Sequence, residues 1–167
     1  MSVSIGKALL ERSAINAKIA DLMTRITNNS IAEKTVTGEL EQPCEKSEDL
    51  LNQVNILDDR HVLITRAILN ANYETSVKFE NVDYKLVEII DLIEVNKRRM
   101  KRIKDLISTI ETSTITTRRN RYDTVDKRYI SMLDIAELRK TNEKLAQKTN
   151  ALQVILQEAN SSTLISY

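Results

Sequence analysis

The sequence predicts an all-α protein: an elongated antiparallel bundle of four long helices with coiled-coil-like packing and one short irregular or hairpin connector. Only two glycines and one proline occur among 167 residues, whereas sheets and long loops need these residues for their turns. Apolar residues recur at spacings of three and four, which is the period of a helix with one buried face. Each predicted helix is about 25 residues, or roughly 38 Å long. Helices of that length must lie side by side, so we expect one helical domain over residues 1–167.

The first helix is predicted over residues 4–28. Its apolar stripe consists of Ile5, Ala8, Leu9, Ile15, Ile19, Leu22, Met23 and Ile26. A polar segment over residues 29–46 follows, and it contains Gly38 and Pro43. This composition predicts a loop between the first two helices.

The second helix is predicted to begin at "SEDLL", with Ser47 as the N-cap and two acidic residues in the first turn. Its apolar seam consists of Leu50, Val54, Leu57, His61, Ile64, Ile68 and Ala71. The alternating spacing of four and three is that of a heptad seam, which predicts coiled-coil packing. Near residues 73–83, Val77 and Phe79 alternate with polar residues, which predicts a short hairpin or an extended connector.

The third helix is predicted over about residues 84–112. Its seam consists of Leu86, Ile89, Ile93, Asn96, Met100, Ile103, Ile107 and Ile110. The fourth helix is predicted to begin near Asp134, which has a capping-box spacing to Glu137. The face of this helix consists of Ile135, Leu138, Leu145, Leu152, Leu156 and Ala159, with Asn142 and Thr149 interrupting it.

Charge and composition narrow the class of protein. The chain carries 25 basic and 24 acidic residues, whereas a protein that neutralises phosphates usually has a clear basic excess. Cys44 is the sole cysteine, which excludes an intrachain disulfide and fits a reducing compartment. Charged residues interrupt the first apolar residues, and no run approaches the roughly 20 apolar residues of a membrane span. We therefore predict a cytoplasmic protein that does not contact a membrane.

The strongest basic cluster is "KRRMKRIK", residues 97–104. Its candidate nucleic-acid contacts are Lys97, Arg98, Arg99, Lys101, Arg102 and Lys104. Glu94 lies four residues before Arg98 and Asp105 lies four residues after Lys101, so we expect part of this charge to be paired locally. The cluster contains no aromatic residue to stack on bases. We favour a solvated helix face over a nucleic-acid contact.

The sequence contains few residues in patterns that could form a catalytic site. His61 is the only histidine and lies beside two aspartates in "LDDRH", but zinc requires several nitrogen or sulfur donors and Cys44 is the only other such residue. Because position 61 falls on the apolar seam, we favour a structural role in register or oligomer state. No nucleophile motif or phosphate-binding glycine loop is present. We expect no enzyme activity, no catalytic or metal-binding residues and no cofactor.

A segment rich in arginine and tyrosine, residues 118–129, precedes the fourth helix. Both residue types have a long apolar body and a polar tip, so they suit a groove between helices. We expect either a polar network that holds this segment to the end of the second helix or a site for a small anion. The residues of this network or site are Arg66, Asn70, Asn72, Arg121, Tyr122, Arg128 and Tyr129.

Four segments carry a family resemblance: "KALLERSAINAKIADLMTRI", "RAILNANYET", "RYDTVDKRYISMLDIAELRK" and "NALQVILQEANSSTLI". In this order they resemble the septicolysin-like family of small bacterial proteins, over nearly the whole chain. The resemblance implies a single-domain, mostly helical protein without an established activity. The family name suggests a cytolysin, but cholesterol-dependent pore formers are longer, β-rich and use a tryptophan-rich loop. This chain has no tryptophan, so a toxin is the less favoured alternative.

Apolar residues beside the seams predict self-association. They are Leu9 and Met23 in the first helix, Ile90 and Leu106 in the third, and Ile155 in the fourth. They widen each stripe beyond what one bundle buries, unless the segments at 29–46 and 112–133 cover them. We therefore expect a structural or interaction protein that forms a homo-oligomer, either a dimer or a multiple of it. A nucleic-acid-associated protein that uses residues 97–104 is the alternative.

Overall fold

The computed structural model describes residues 2–30, 46–115 and 131–167, without the side chains of residues 113–115. Its elements in chain order are β1 (Ser2–Ser4), α1 (Ile5–Asn29), α2 (Ser47–Glu74), β2 (Ser76–Phe79), β3 (Val82–Lys85), α3 (Leu86–Ile115), α4 (Ile135–Ser162) and β4 (Leu164–Ser166). The described residues are therefore mostly helical, with two small antiparallel sheets. This confirms the prediction of a predominantly helical fold with four long helices. The bundle and its coiled-coil packing stay predictions.

The chain folds as two compact units. The first comprises Met1–Ser76 with Gln157–Tyr167, and the second comprises Val77–Leu156. Helix α4 contributes residues to both units, and the first unit combines two segments that are distant in sequence, whereas the second is one continuous segment. The single-domain prediction stays a prediction.

In the first unit, α1 and α2 run antiparallel. Leu22 and Ile26, near the end of α1, pack against Leu50 and Val54, near the start of α2. Helix α1 begins at Ile5, within one residue of the predicted start, and the Ser4 hydroxyl caps it by accepting a hydrogen bond from the backbone N–H of Lys7 at 3.3 Å. Apolar residues from facing seams therefore form this core, as the periodicity predicts.

The start of α2 differs from the prediction. The helix begins at Ser47, but Lys46 occupies the N-cap position and no side chain of a described residue caps the helix. Ser47 is already inside the first turn, so its backbone is helical rather than extended, and its hydroxyl is not placed to cap the helix. The prediction of a Ser47 cap is wrong. Glu48 and Asp49 remain in the first turn, where their charge favours the positive end of the helix dipole.

A two-stranded sheet joins the two ends of the described chain, and the periodicity analysis did not predict it. Strands β1 and β4 pair antiparallel, with Val3 opposite Ile165. The backbone N–H of Ile5 continues the pairing by donating to the carbonyl oxygen of Thr163 at 3.0 Å. Both Ile5 and Ile165 are buried, so the sheet also covers the end of the first unit's core.

The second unit begins with the hairpin formed by β2 and β3. Its turn residues, Glu80 and Asn81, have φ angles of 49° and 65°. Two consecutive residues in the left-handed region match a two-residue hairpin turn of type I′. Lys148 on α4 binds the Glu80 carboxylate at 2.8 Å and lies 5.4 Å from the centre of the Phe79 ring. The structure confirms the hairpin alternative of the predicted connector.

The core of the second unit lies between the hairpin, α3 and α4. Ile89, Ile93 and Leu152 are buried together, and the hairpin side chains of Val77, Phe79 and Tyr84 pack against them. Helix α4 is capped as predicted, because the Asp134 carboxylate accepts hydrogen bonds from the backbone N–H groups of Ala136 and Glu137 at 2.8 and 3.2 Å. Two polar residues of the seams, Asn96 and Thr149, are also buried.

Candidate functional site

Helix α2 exposes several large apolar side chains in addition to its buried seam. They are Leu51, Ile56, Val62, Leu63, Leu69 and Tyr73. Single exposed apolar residues are ordinary on a protein surface, whereas a contiguous group marks an interaction site. The arrangement of these side chains around the helix therefore decides whether they form a site.

Four of these side chains lie along one line, which we call the α2 stripe: Leu51, Val62, Leu69 and Tyr73. Successive members are separated by 11, 7 and 4 residues. At about 100° per residue, these spacings place all four within an arc of about 40°. Their exposed fractions are 44, 62, 50 and 61 %. The α2 stripe therefore lies along one face of α2, about a third of a turn from the seam that faces the core. Between Leu51 and Val62, the polar side chains of Asn55 and Asp58 lie on or beside the same arc.

Two charged residues, Asp58 and Arg66, flank the centre of the α2 stripe. Both side chains are exposed. Neither forms an ion pair with another described residue. No residue three or four positions from Arg66 is charged, so the helix offers it no internal partner. The site thus combines the apolar stripe with two charges of opposite sign, neither of which has an ion-pair partner among the described residues.

A polar cluster of Glu11, Arg60 and Tyr167, which we call the terminal clasp, fixes the middle of α2 within the first unit. The Glu11 carboxylate accepts a 3.0 Å hydrogen bond from Arg60 and a 2.7 Å hydrogen bond from the Tyr167 hydroxyl. The Arg60 guanidinium lies 4.6 Å from the centre of the Tyr167 ring. These contacts connect α1, α2 and the residue after β4.

The terminal clasp shifts two pKa values. The pKa of Glu11 is lowered, mainly by the hydrogen bond from Tyr167 and also by the charge of Arg60, although partial burial opposes the shift. The pKa of Tyr167 is raised by burial and by its hydrogen bond to the Glu11 carboxylate. Both shifts favour an ionised Glu11 and a neutral Tyr167, which is the state in which the hydrogen bond forms.

The predicted polar network is only partly within the described residues. Asn70 is exposed and contributes to a cavity of about 250 Å³, which residues of α2 line together with the segment from Thr163 to Ser166. The side-chain oxygen of Asn72 is buried and has no hydrogen-bond partner within the described ranges. Four predicted members lie outside the described residues: Arg121, Tyr122, Arg128 and Tyr129. The network and the anion site therefore stay predictions.

The basic cluster lies on the exposed face of α3. All six candidate contacts are exposed, namely Lys97, Arg98, Arg99, Lys101, Arg102 and Lys104. The expected ion pairs of Glu94 with Arg98 and of Lys101 with Asp105 do not form, so that prediction is wrong. Arg98 instead directs its Nε toward the backbone carbonyl of Glu94 at 3.5 Å. Exposed ion pairs gain little over hydration, which accounts for their absence.

A cleft of about 300 Å³ lies within the second unit, at one end of the basic cluster. Its polar lining includes Lys104, Glu111, Arg139, Asn142 and Glu143. Arg139 and Glu111 form a 2.6 Å ion pair across it. Because the charged residues of the lining balance in sign, the cleft does not select an ion of one charge.

Other classes of site have little support in the described part of the chain. His61 is half-buried on the seam of α2, as its position in the heptad predicts. Among the described residues, no three His, Cys, Asp or Glu side chains are grouped so that they could hold a metal ion. None of the helices, over the residues described, is both long and apolar enough to span a membrane.

The α2 stripe was not predicted from the sequence. Its residues have the spacings of a helical line, but the seam of α2 explained the amphipathic pattern without them. A signal was nevertheless present, because α2 has more apolar residues than its seam requires. Leu51, Val62 and Leu69 each lie one position after a seam residue. The terminal clasp had no sequence signal, since its three residues are distant in the chain.

Comparison with solved structures gives one similar fold. It is the crystal structure of a functionally unknown conserved protein from Corynebacterium diphtheriae, which is 19% identical to this chain. The similarity has a TM-score of 0.80 and covers 99% of this chain and 100% of that one. At this identity it shows a shared fold only.

Comparison of sequences gives the family. No curated protein matches the chain. The septicolysin-like family, which the four sequence segments resemble, is not the one that the comparison finds. Residues 12–164 match a family of unknown function, DUF6847, and this match extends over most of both units. The chain therefore belongs to the family of unknown function DUF6847.

Proposed function

We propose that this protein is a cytoplasmic helical interaction protein that self-associates and has no catalytic activity of its own. The observation that carries the proposal is the α2 stripe, where four exposed apolar side chains lie along one face of the helix. The sole cysteine supports a reducing compartment.

Self-association follows from the cost of leaving this line in water. Removing apolar surface from water contributes about 25 cal/mol for each Å². A second copy always presents the same surface at the same concentration, and closed two-fold pairing is the commonest form of oligomer. A dimer is therefore the simplest assembly that buries the α2 stripe.

Light scattering with size-exclusion chromatography tests self-association across micromolar concentrations. A dimer has a mass of 38.2 kDa, twice the 19.1 kDa of one chain. We expect the measured mass to rise toward that value as concentration increases. A mass of 19.1 kDa at every concentration up to about 200 μM, where a dimer of even 100 μM affinity would be clearly populated, overturns the proposal.

Two leucines on α2 provide a matched pair of variants. Leu69 lies in the α2 stripe and Leu63 lies outside it, and their exposed fractions are similar at 50 and 53 %. Leu69→Glu places a charge within the stripe, so we expect the mass to fall to that of one chain. Leu63→Glu should leave the mass unchanged. Equal effects of both variants would show that the stripe is not the surface involved.

A second candidate function is association with nucleic acid through the basic cluster. The exposure of all six basic side chains, and the absence of ion pairs with described acidic residues, favour it. Binding to a random DNA duplex should then weaken steeply as salt increases. The double variant Lys101→Glu/Arg102→Glu should weaken binding and reduce this salt dependence, whereas Lys140→Glu on α4 serves as the control. No binding at low salt excludes this function.

A further inference from the structure

We propose that α2 binds α2 of a second copy in an antiparallel arrangement whose two-fold axis passes beside Val62. This inference rests on the proposed self-association and adds the surface, the direction and the register of the pairing. It follows from two features of α2 that share Val62 as their centre, namely the outer apolar side chains of the stripe and the two charges.

The apolar side chains of the stripe are symmetric about Val62 at their outer ends. Leu51 lies 11 residues before Val62 and Tyr73 lies 11 residues after it. In an antiparallel pair centred at Val62, Leu51 of each chain therefore lies at the level of the partner's Tyr73. Because the two valines also lie at the same level, apolar contacts occur at the centre and at both ends.

The charges have the same centre of symmetry. Asp58 lies four residues before Val62 and Arg66 lies four residues after it. The antiparallel register places each Asp58 at the level of the partner's Arg66, on either side of the central valines. The long arginine side chain can reach the aspartate across the contact, so two symmetry-related ion pairs form, each between Asp58 of one copy and Arg66 of the other. Both side chains are exposed and unpaired among the described residues, so neither must give up an existing partner.

The same charges disfavour a parallel arrangement of the two helices. It places Asp58 beside the partner's Asp58 and Arg66 beside the partner's Arg66, and like charges at one level oppose association. The arrangement of charges therefore selects the antiparallel direction, while the apolar side chains supply the contact.

The other flank of α2 does not offer an equivalent surface. Ile56 and Leu63 are exposed there, at 68 and 53 %. Asp59 and Arg60 lie between them in sequence, and Arg60 is already engaged in the terminal clasp. Ile56 and Leu63 are not followed by further exposed apolar side chains along this flank of the helix, so they serve as an internal control for the α2 stripe.

The size of the stripe sets the strength of the contact. From Leu51 to Tyr73 the stripe extends over 22 residues, which is about 33 Å of helix with a width of about 10 Å. This face is small relative to the roughly 800 Å² that each partner buries in a typical specific interface. We therefore expect association in the micromolar range, so the experiments use concentrations that span it.

Complementary charge reversal tests the register. Asp58→Arg alone places two arginines at one level, and Arg66→Asp alone places two aspartates there. Each variant should form homodimers at least about tenfold more weakly than the unchanged chain. When the two variants are mixed, each arginine again faces an aspartate, so dimers should return with one copy of each variant. Sedimentation velocity or light scattering at 50 mM salt measures all three samples.

Cysteine cross-linking tests the position of the two-fold axis. In a Cys44→Ser background, Val62→Cys should give a disulfide-linked dimer on mild oxidation, because the two residues meet at the axis. Ile56→Cys in the same background should give little cross-linked dimer.

The outcomes separate this inference from the proposed function. A dimeric chain whose Asp58→Arg and Arg66→Asp variants do not complement each other, or which cross-links at Ile56 rather than Val62, overturns the α2 pairing but keeps self-association. A chain that stays monomeric overturns both. Complementation together with cross-linking at Val62 supports both.

Discussion

Replacing Tyr167 with phenylalanine removes one hydroxyl and tests whether the terminal clasp stabilises the first unit. The hydroxyl donates a 2.7 Å hydrogen bond to the Glu11 carboxylate. The ring remains in Tyr167→Phe, so its contact with Arg60, at 4.6 Å from the ring centre, can persist. The variant therefore isolates the hydrogen bond from the packing.

The size of the effect follows from the charge and exposure of the acceptor. A hydrogen bond to a charged group contributes about 1.5–3 kcal/mol when it is protected from water. The Glu11 side chain is 38% exposed, and solvent screening lowers this contribution to about 1–1.5 kcal/mol. For a chain of this size we expect the melting temperature to fall by about 2–6 °C.

The dependence on pH identifies the groups involved. The lowered pKa of Glu11 contributes stability above its ordinary value of 4.5, and this contribution is lost as pH falls below that value. The raised pKa of Tyr167 contributes stability below its ordinary value of 10.0, and this contribution is lost as pH rises above it. The difference between the unchanged chain and Tyr167→Phe should therefore be largest between about pH 5 and pH 9.

Urea denaturation followed by circular dichroism at 222 nm measures the free energy of unfolding at each pH. Tyr73→Phe provides the matched control, because Tyr73 is 61% exposed and its hydroxyl takes part in none of the hydrogen bonds between described residues. We expect this control to change the free energy of unfolding by less than about 0.5 kcal/mol. Equal effects of the two variants, or an effect of Tyr167→Phe that does not vary with pH, would refute the reasoning.

Three further substitutions test the packing of each unit by urea denaturation. Ile64, which is fully buried, should lose about 3–4 kcal/mol of stability on replacement with alanine, and a loss no larger than that of Leu10→Ala contradicts its place in the core. The amide nitrogen of the buried Asn96 has no hydrogen-bond partner in the described part of the chain, so Asn96→Leu should increase stability by about 1 kcal/mol. A clear loss of stability would show that the amide is needed. Asn81, with φ at 65°, should tolerate glycine but lose about 1–2 kcal/mol with valine, and equal stability of both variants would count against the hairpin turn.

The helices were predictable because their cores are built from local repeats. Apolar residues three and four positions apart must share one face of a helix, whatever the rest of the chain does. The buried residues Ile15, Leu22, Ile64, Ile93 and Leu152 all belong to the predicted stripes. The Asp134 cap is likewise local, since the side chain binds N–H groups two and three residues away. Ser47 shows the limit of this reasoning, because a shift of one position removes a cap.

The hairpin was predictable only as one of two alternatives. Its four-residue strands have a short alternation that an extended connector could also carry. Packing decides between them, because Val77 and Phe79 gain a partner surface in Ile89, Ile93 and Leu152. The seam residues on two helices therefore determine the conformation of the connector.

The sequence by itself determined the four helices, their buried faces and the low content of strand, because each depends on residues close together in the chain. The tertiary structure alone decided the β1–β4 pairing, the terminal clasp and the exposure of the α2 stripe. Strands of three residues have too few positions to show a period, and Glu11 and Tyr167 are 156 residues apart. Whether Val62 or Leu69 is exposed depends on where α1 packs against α2, which no local pattern records. Contacts between distant segments therefore decided which surfaces of this chain remain free for a partner.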